Sequence, residues 1–215
     1  MRLRSLHTEF VTPRQPASRK LLIVLHGRGD SAAGFRWLPA ALDLPWLGYL
    51  LVDAPEPYAP GGRSWYAPPP DQRPGVEHGR ERLAALCDEL LAAGHRASDI
   101  GMLGFSQGCL MTLEFGARSS HPLACYIGIS GYCLDPGALA TQLTPAARRP
   151  VWLVTHGTRD ELLPFARTAA QAEDLVRAGL PIEFAAYDKG HTIDSEHELP
   201  AIRSFLLRTL AGDPS

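Results

Sequence analysis

The sequence predicts an α/β protein: a mostly parallel central sheet with helices on both faces. Two observations carry this. Apolar runs of strand length recur along the chain, and stretches with helical periodicity separate them. Residues 21–25 are five apolar side chains in succession, the pattern of a strand buried on both faces. Residues 49–52, 100–105, 126–129, 151–155 and 182–187 repeat it. Between residues 77 and 93, Leu83, Leu86, Leu90 and Leu91 form one stripe, with Gly94 placed as a C-cap. Residues 164–178 set Phe165, Ala169, Ala172 and Val176 on one face, closed by Gly179. Residues 195–210 carry Leu199, Ile202, Phe205, Leu206 and Leu210, and Pro200 predicts either a start later than Ser195 or a kink. The segment 53–74 is rich in Pro and Gly around Trp65 and Tyr66, and reads as a long surface loop over one edge of the site. With no internal repeat and no linker, residues 1–215 are expected to form one domain without a separate lid.

Bulk properties exclude several classes. Lys+Arg number 21 against 23 Asp+Glu, for a formal charge of -2, and like charges form no run. Neither a nucleic-acid surface nor a polybasic membrane anchor is expected. The first residues, through Phe10, lack the apolar core of a signal peptide, and no apolar stretch approaches the ~20 residues of a membrane span. Cys87, Cys109, Cys125 and Cys133 are scattered, with no C-x-x-C and no His at metal-like spacing. They read as buried free thiols, which places the chain in a reducing cytoplasm.

Chemistry concentrates where strands end. Gly104-Phe105-Ser106-Gln107-Gly108 follows a strand pattern and opens a helix pattern. In that setting a sharp turn lifts a serine hydroxyl above the sheet, and the glycines let the backbone fold tightly. A serine hydroxyl needs a base within hydrogen-bond reach, itself oriented by a third group. The expected chain order is Ser, then Asp or Glu, then His. Asp160 follows strand 151–155, and His191 follows the strand ending near Tyr187. Three strand ends thus deliver Ser106, Asp160 and His191 in the required order. His156 also follows a strand, but it precedes Asp160 at a backbone-packing His-Gly. Glu161 reads as a turn residue facing solvent. Asp188 and Asp194 lie too near His191 along the chain to brace its ring, and read as solvated or capping residues.

Acyl transfer also needs donors aimed at the developing oxyanion, worth ~2.7–4 kcal/mol each. The backbone N–H of Gln107, just after the serine, is one expected donor. The loop His26-Gly27-Arg28-Gly29-Asp30-Ser31 offers the Arg28 amide as the second; a Gly-rich turn leading into a helix capped by Asp30 or Ser31 is the competing account. Trp65, Leu162, Leu163 and Tyr132 are candidates for an apolar pocket around the acyl group, with core packing as the alternative for each. The chemistry calls for no metal and no organic cofactor, and neither has a site in the sequence.

These motifs resemble the phospholipase/carboxylesterase family of α/β-hydrolases, which includes acyl-protein thioesterases and small bacterial carboxylesterases. The matching elements are Leu25-His26-Gly27-Arg28-Gly29-Asp30, Gly104-Phe105-Ser106-Gln107-Gly108, His156-Gly157-Thr158-Arg159-Asp160 with Pro164, and Gly190-His191. The resemblance implies an α/β-hydrolase fold, Ser106 as nucleophile, Asp160 and His191 as its partners, and the Arg28 and Gln107 amides as oxyanion hole. It also implies a homodimer. Two departures stand out: Arg28 sits where thioesterase members usually carry an apolar residue, and Thr-Ile-Asp follows His191. The expected activity is hydrolysis of small-molecule or lipid esters of short to medium acyl chains through an acyl-serine intermediate. The alternatives are an acyl thioesterase or lysophospholipase acting on longer chains, and a non-catalytic binding protein on the same fold. Intact Ser106, Asp160 and His191 count against the last.

Overall fold

A computed structural model describes residues 3–211. Among these residues nine strands form, numbered in chain order: β1 (Thr8–Val11), β2 (Leu21–Leu25), β3 (Gly48–Val52), β4 (Glu56–Tyr58), β5 (Gly62–Ser64), β6 (Ile100–Phe105), β7 (Cys125–Ile129), β8 (Val151–Gly157) and β9 (Ile182–Tyr187). The helices are α1 (Leu38–Leu42), α2 (Gln72–Ala92), α3 (Gln107–Arg118), α4 (Pro136–Thr141), α5 (Phe165–Arg177) and α6 (Glu198–Thr209). Seven strands make one sheet in the order β1-β3-β2-β6-β7-β8-β9, parallel throughout except for β1 on β3.

Alternation along β2 shows why the apolar runs are continuous. Leu21, Ile23 and Leu25 point into a core shared with α2, α3, α4 and α5, while Leu22 and Val24 point into a second core with α1 and α6. Both faces of the sheet are therefore covered, and every β2 side chain is buried. Helix α3 lies so deep that all residues from Gln107 to Ala117 are buried. The strand order reverses between β2 and β6, which sets the loops after these neighbouring strands at the place where open α/β sheets bind ligands.

The segment 53–74 departs from the expected surface loop. Glu56–Tyr58 and Gly62–Ser64 pair as an antiparallel hairpin, and Trp65 and Tyr66 behind it are buried. Helix α2 begins at Gln72 rather than near residue 77, with Pro74 in its first turn, where a missing N–H costs no helical hydrogen bond. Helix α6 starts at Glu198, later than Ser195, and places Pro200 in its first turn for the same reason. The four cysteines are buried and unpaired with one another. No helix of the described residues is long and apolar enough to cross a membrane.

Candidate active site

Strand β6 ends at Phe105, and Ser106 takes φ 55° and ψ -114° before α3 begins. A non-glycine residue in this region carries strain that its surroundings must hold. They do so through the Ser106 N–H, which donates to the Ile129 carbonyl at 2.9 Å. The flanking glycines are needed for close approach. A Cβ on Gly104 would stand 2.0 Å from the Gly108 carbonyl oxygen, and one on Gly108 would stand 2.2 Å from the Leu25 carbonyl oxygen. Helix α3 thereby packs directly against the ends of β6 and β2, and the hydroxyl is raised over the sheet.

The turn after β8 supplies Asp160 and the turn after β9 supplies His191. His191 Nε2 lies 2.9 Å from Ser106 Oγ, and Nδ1 lies 2.8 Å from Asp160 Oδ2. The second oxygen of Asp160 accepts the Leu162 and Leu163 amides at 3.0 and 2.9 Å, so the side chain is fully engaged and wholly buried. Burial alone would raise this carboxyl. The Leu163 amide, the His191 ring and the Leu162 amide outweigh it and hold the carboxyl below the usual aspartate value. An ionised Asp160 accepts the Nδ1 proton of His191, which leaves Nε2 free to accept the serine proton.

The loop after β2 passes beside the serine. A Cβ on Gly27 would come within 3.3 Å of the Ser106 Cβ. Among the described residues, neither the Arg28 nor the Gln107 amide donates a hydrogen bond to another group. Gln107 is the first residue of α3, where N–H groups have no helical acceptor. Both amides are therefore free to donate. The Arg28 side chain points away into solvent, its guanidinium 5.9 Å from the Tyr58 ring centre.

The alternative base and acids take other places. His156 is buried, and its Nε2 donates to the Leu163 carbonyl at 2.8 Å, propping the turn that holds Asp160. Burial pushes its ring below the usual histidine value, so it stays neutral. Glu161 is exposed. Asp188 pairs with Arg159, and Asp194 caps the approach to α6 by accepting the His197 and Glu198 amides.

Of the four pocket candidates, Trp65 is corrected: it is wholly buried, and its indole N–H donates to the His26 carbonyl at 2.9 Å. The hairpin folds back onto α3 and carries this side chain into the core. Leu162 stands 71% exposed beside the acid turn, and Leu163 is half-buried. Tyr132 follows Gly131, whose Cβ would lie 3.0 Å from the Ser106 carbonyl oxygen, and its hydroxyl accepts from Gln72. Sequence reasoning missed Lys189 and Glu198, a buried ion pair beside His191. A lysine within a strand-end turn, followed nine residues on by a glutamate at a helix start, was the available signal.

Known proteins resemble this chain in sequence and fold. Carboxylesterase SOBER1 of Arabidopsis thaliana is 27% identical over 215 residues, covering 92% of this chain and 94% of that protein. Acyl-protein thioesterase 1 of Yarrowia lipolytica is 28% identical over 169 residues, covering 71% and 74%. The crystal structure of esterase PE8 superposes with a TM-score of 0.86 at 25% identity, over 95% of this chain and 99% of that one. The fold is that of the α/β-hydrolases. Residues 6–210 match the phospholipase/carboxylesterase family, and the chain belongs to that family.

Proposed function

We propose that the protein is a serine carboxylesterase acting on esters of short to medium acyl chains. The observation that carries this reading is the continuous chain Ser106 Oγ, His191, Asp160 at 2.9 and 2.8 Å on three strand ends. Ser106 Oγ attacks the ester carbonyl carbon while His191 Nε2 takes its proton, and the carbonyl π electrons move onto oxygen. The Arg28 and Gln107 amides stabilise that oxyanion. Collapse expels the alkoxide, which receives the proton from His191, and leaves an acyl group on Ser106. Water then attacks the acyl carbon as His191 removes its proton. The second collapse frees the acid and returns the proton to Ser106. Asp160 orients the imidazole and stabilises its charged form in both halves.

The preference for shorter chains follows from an open site, since the elements of the described residues include no separate lid over Ser106. The void behind Gly131 and Cys109 measures about 10 Å³, so no acyl tunnel runs into the core there. Leu162, exposed beside the acid turn, supports a second reading, in which acyl groups of thioesters or lysophospholipids lie along the surface. The fungal relative named acyl-protein thioesterase 1 agrees with it. We further propose that the chain acts as one domain, in a reducing cytoplasm suited to its four free thiols, and as a homodimer. Light scattering on the purified protein checks the last.

The test is hydrolysis of p-nitrophenyl esters of increasing chain length by the wild type and by Ser106→Ala. Turnover abolished in the variant supports the serine mechanism, and the chain-length optimum separates the two readings. A wild type inert on every ester and thioester, with Ser106 unlabelled by an organophosphate, would sink the hydrolase assignment.

A further inference from the structure

The two amides assigned to the oxyanion belong to separate elements, the loop after β2 and the first turn of α3. The pairing of β2 with β6 and the close approach of Gly108 to the Leu25 carbonyl bring the two elements together. Both are tied in addition to one segment, Ser64-Trp65-Tyr66, directly behind the β4–β5 hairpin. On the α3 side, the Gln107 carboxamide is held by it from both ends. Oε1 accepts the Trp65 N–H at 2.9 Å and faces the Ser64 hydroxyl at 3.1 Å, while Nε2 donates to the Tyr66 carbonyl at 2.9 Å. On the loop side, the Trp65 indole holds the His26 carbonyl, two residues before Arg28.

The hairpin continues the connection on the far side of Arg28. The Gly29 N–H donates to the Arg63 carbonyl and the Arg63 N–H donates to the Asp30 carbonyl, both at 2.8 Å. The Arg63 guanidinium is itself fixed on the Ala54 and Pro55 carbonyls at 2.8 Å. The hairpin and loop approach so closely that a Cβ on Gly62 would stand 2.1 Å from the Gly29 carbonyl oxygen. Arg28 is thus held from both neighbours, at His26 and at Gly29–Asp30, by the same piece of chain that grips Gln107.

We propose that the β4–β5 hairpin, through Trp65 and Gly62, is the positioning device of the oxyanion hole: a strut that sets the Arg28 and Gln107 amides at the spacing the oxyanion requires. Trp65 touches no substrate; it acts through the peptide it holds. This rests on the esterase reading above and adds to it what aligns the two donors. Because a displacement near 1 Å at a reacting centre is costly, loosening the strut is expected to cost about tenfold or more in kcat. KM for the ground-state ester should change little, since the donors meet their charge only after attack.

The experiment measures kcat, KM and the inhibition constant of an alkyl trifluoromethyl ketone for the wild type, Trp65→Phe, Gly62→Ala and Gln107→Met. The ketone forms a hemiketal on Ser106 whose oxygen occupies the oxyanion position. The expected result is a loss of kcat/KM matched, variant by variant, by an equal loss of ketone affinity, with the pH profile unmoved. Trp65→Phe removes one N–H from the core. Gly62→Ala acts from the half-exposed first residue of β5, and so remains informative should the first variant fold poorly. Full activity in Gly62→Ala, or activity lost without any loss of ketone affinity, overturns the strut while leaving the esterase intact. An inert wild type that neither binds the ketone nor is labelled at Ser106 overturns both.

Discussion

The Lys189 ammonium meets both oxygens of Glu198 at 2.7 and 2.6 Å, with the two side chains almost completely withdrawn from water. The same ammonium donates to the Ser130 hydroxyl at 3.1 Å and to the Thr192 carbonyl at 2.7 Å. It therefore joins the end of β7, the start of α6 and the turn that carries His191. Removing one partner leaves a buried charge uncompensated, so Lys189→Met is expected to cost about 3–5 kcal/mol. The double variant Lys189→Met/Glu198→Gln should recover a large part of this. Urea unfolding of the three proteins decides it, and equal stability of the single and double variants would contradict the pairing.

Asp160→Asn gives a sharper outcome than simple removal. One oxygen still accepts the Leu162 and Leu163 amides, so the turn keeps its shape. The atom facing His191 Nδ1 becomes an NH₂, which favours the wrong tautomer of the ring. The expected loss in kcat is ~10⁴-fold at nearly unchanged stability. Stopped assays together with thermal unfolding measure both quantities.

Acid stability should track His26. Its Nε2 accepts the Ala54 amide at 3.0 Å and its Nδ1 faces the Gly27 carbonyl at 2.6 Å, a pattern that only the neutral ring satisfies. Burial sets its value below the ordinary 6.5. In the unfolded chain the ring therefore takes up its proton at higher pH than in the folded protein, so stability falls as pH drops below the ordinary histidine value of about 6.5. His26→Gln, neutral throughout, should be less stable overall but show a shallower slope across that window. An unchanged slope would assign the acid sensitivity elsewhere, His156 being the next candidate.

Leu162 offers a test of where the acyl chain lies. It is 71% exposed beside the acid turn and engages the site only through its amide. If it covers substrate, Leu162→Ser should flatten the rise of kcat/KM with chain length, since each buried CH₂ is worth about 0.8 kcal/mol. The acetate ester, too short to reach, should respond least.

Ser106, Asp160 and His191 were legible because a parallel sheet places its strand-end turns along one edge, and apolar runs mark those ends well. Trp65 was not. Its depth depends on a hairpin of Glu56–Tyr58 with Gly62–Ser64, three residues to a strand and rich in Pro and Gly, folding back onto α3. The edge strand Thr8–Val11 escaped for a similar reason: its side chains are only partly covered, so no continuous apolar run appears. Helices α1 and α4 are five and six residues long, too short for periodicity to register. The spacing of Lys189 and Glu198 alone could not show that they pair out of water, because their burial comes from tertiary packing around β7 and α6.

Helix α3 begins one residue after the serine and is enclosed on every side from Gln107 to Ala117. An element so enclosed cannot fray separately; its hydrogen-bonded amides, those beyond its first turn, should exchange with solvent only when the whole molecule opens. Loss of hydrolytic rate on heating should therefore coincide with global unfolding, which makes the enzyme's own turnover a thermometer for its fold.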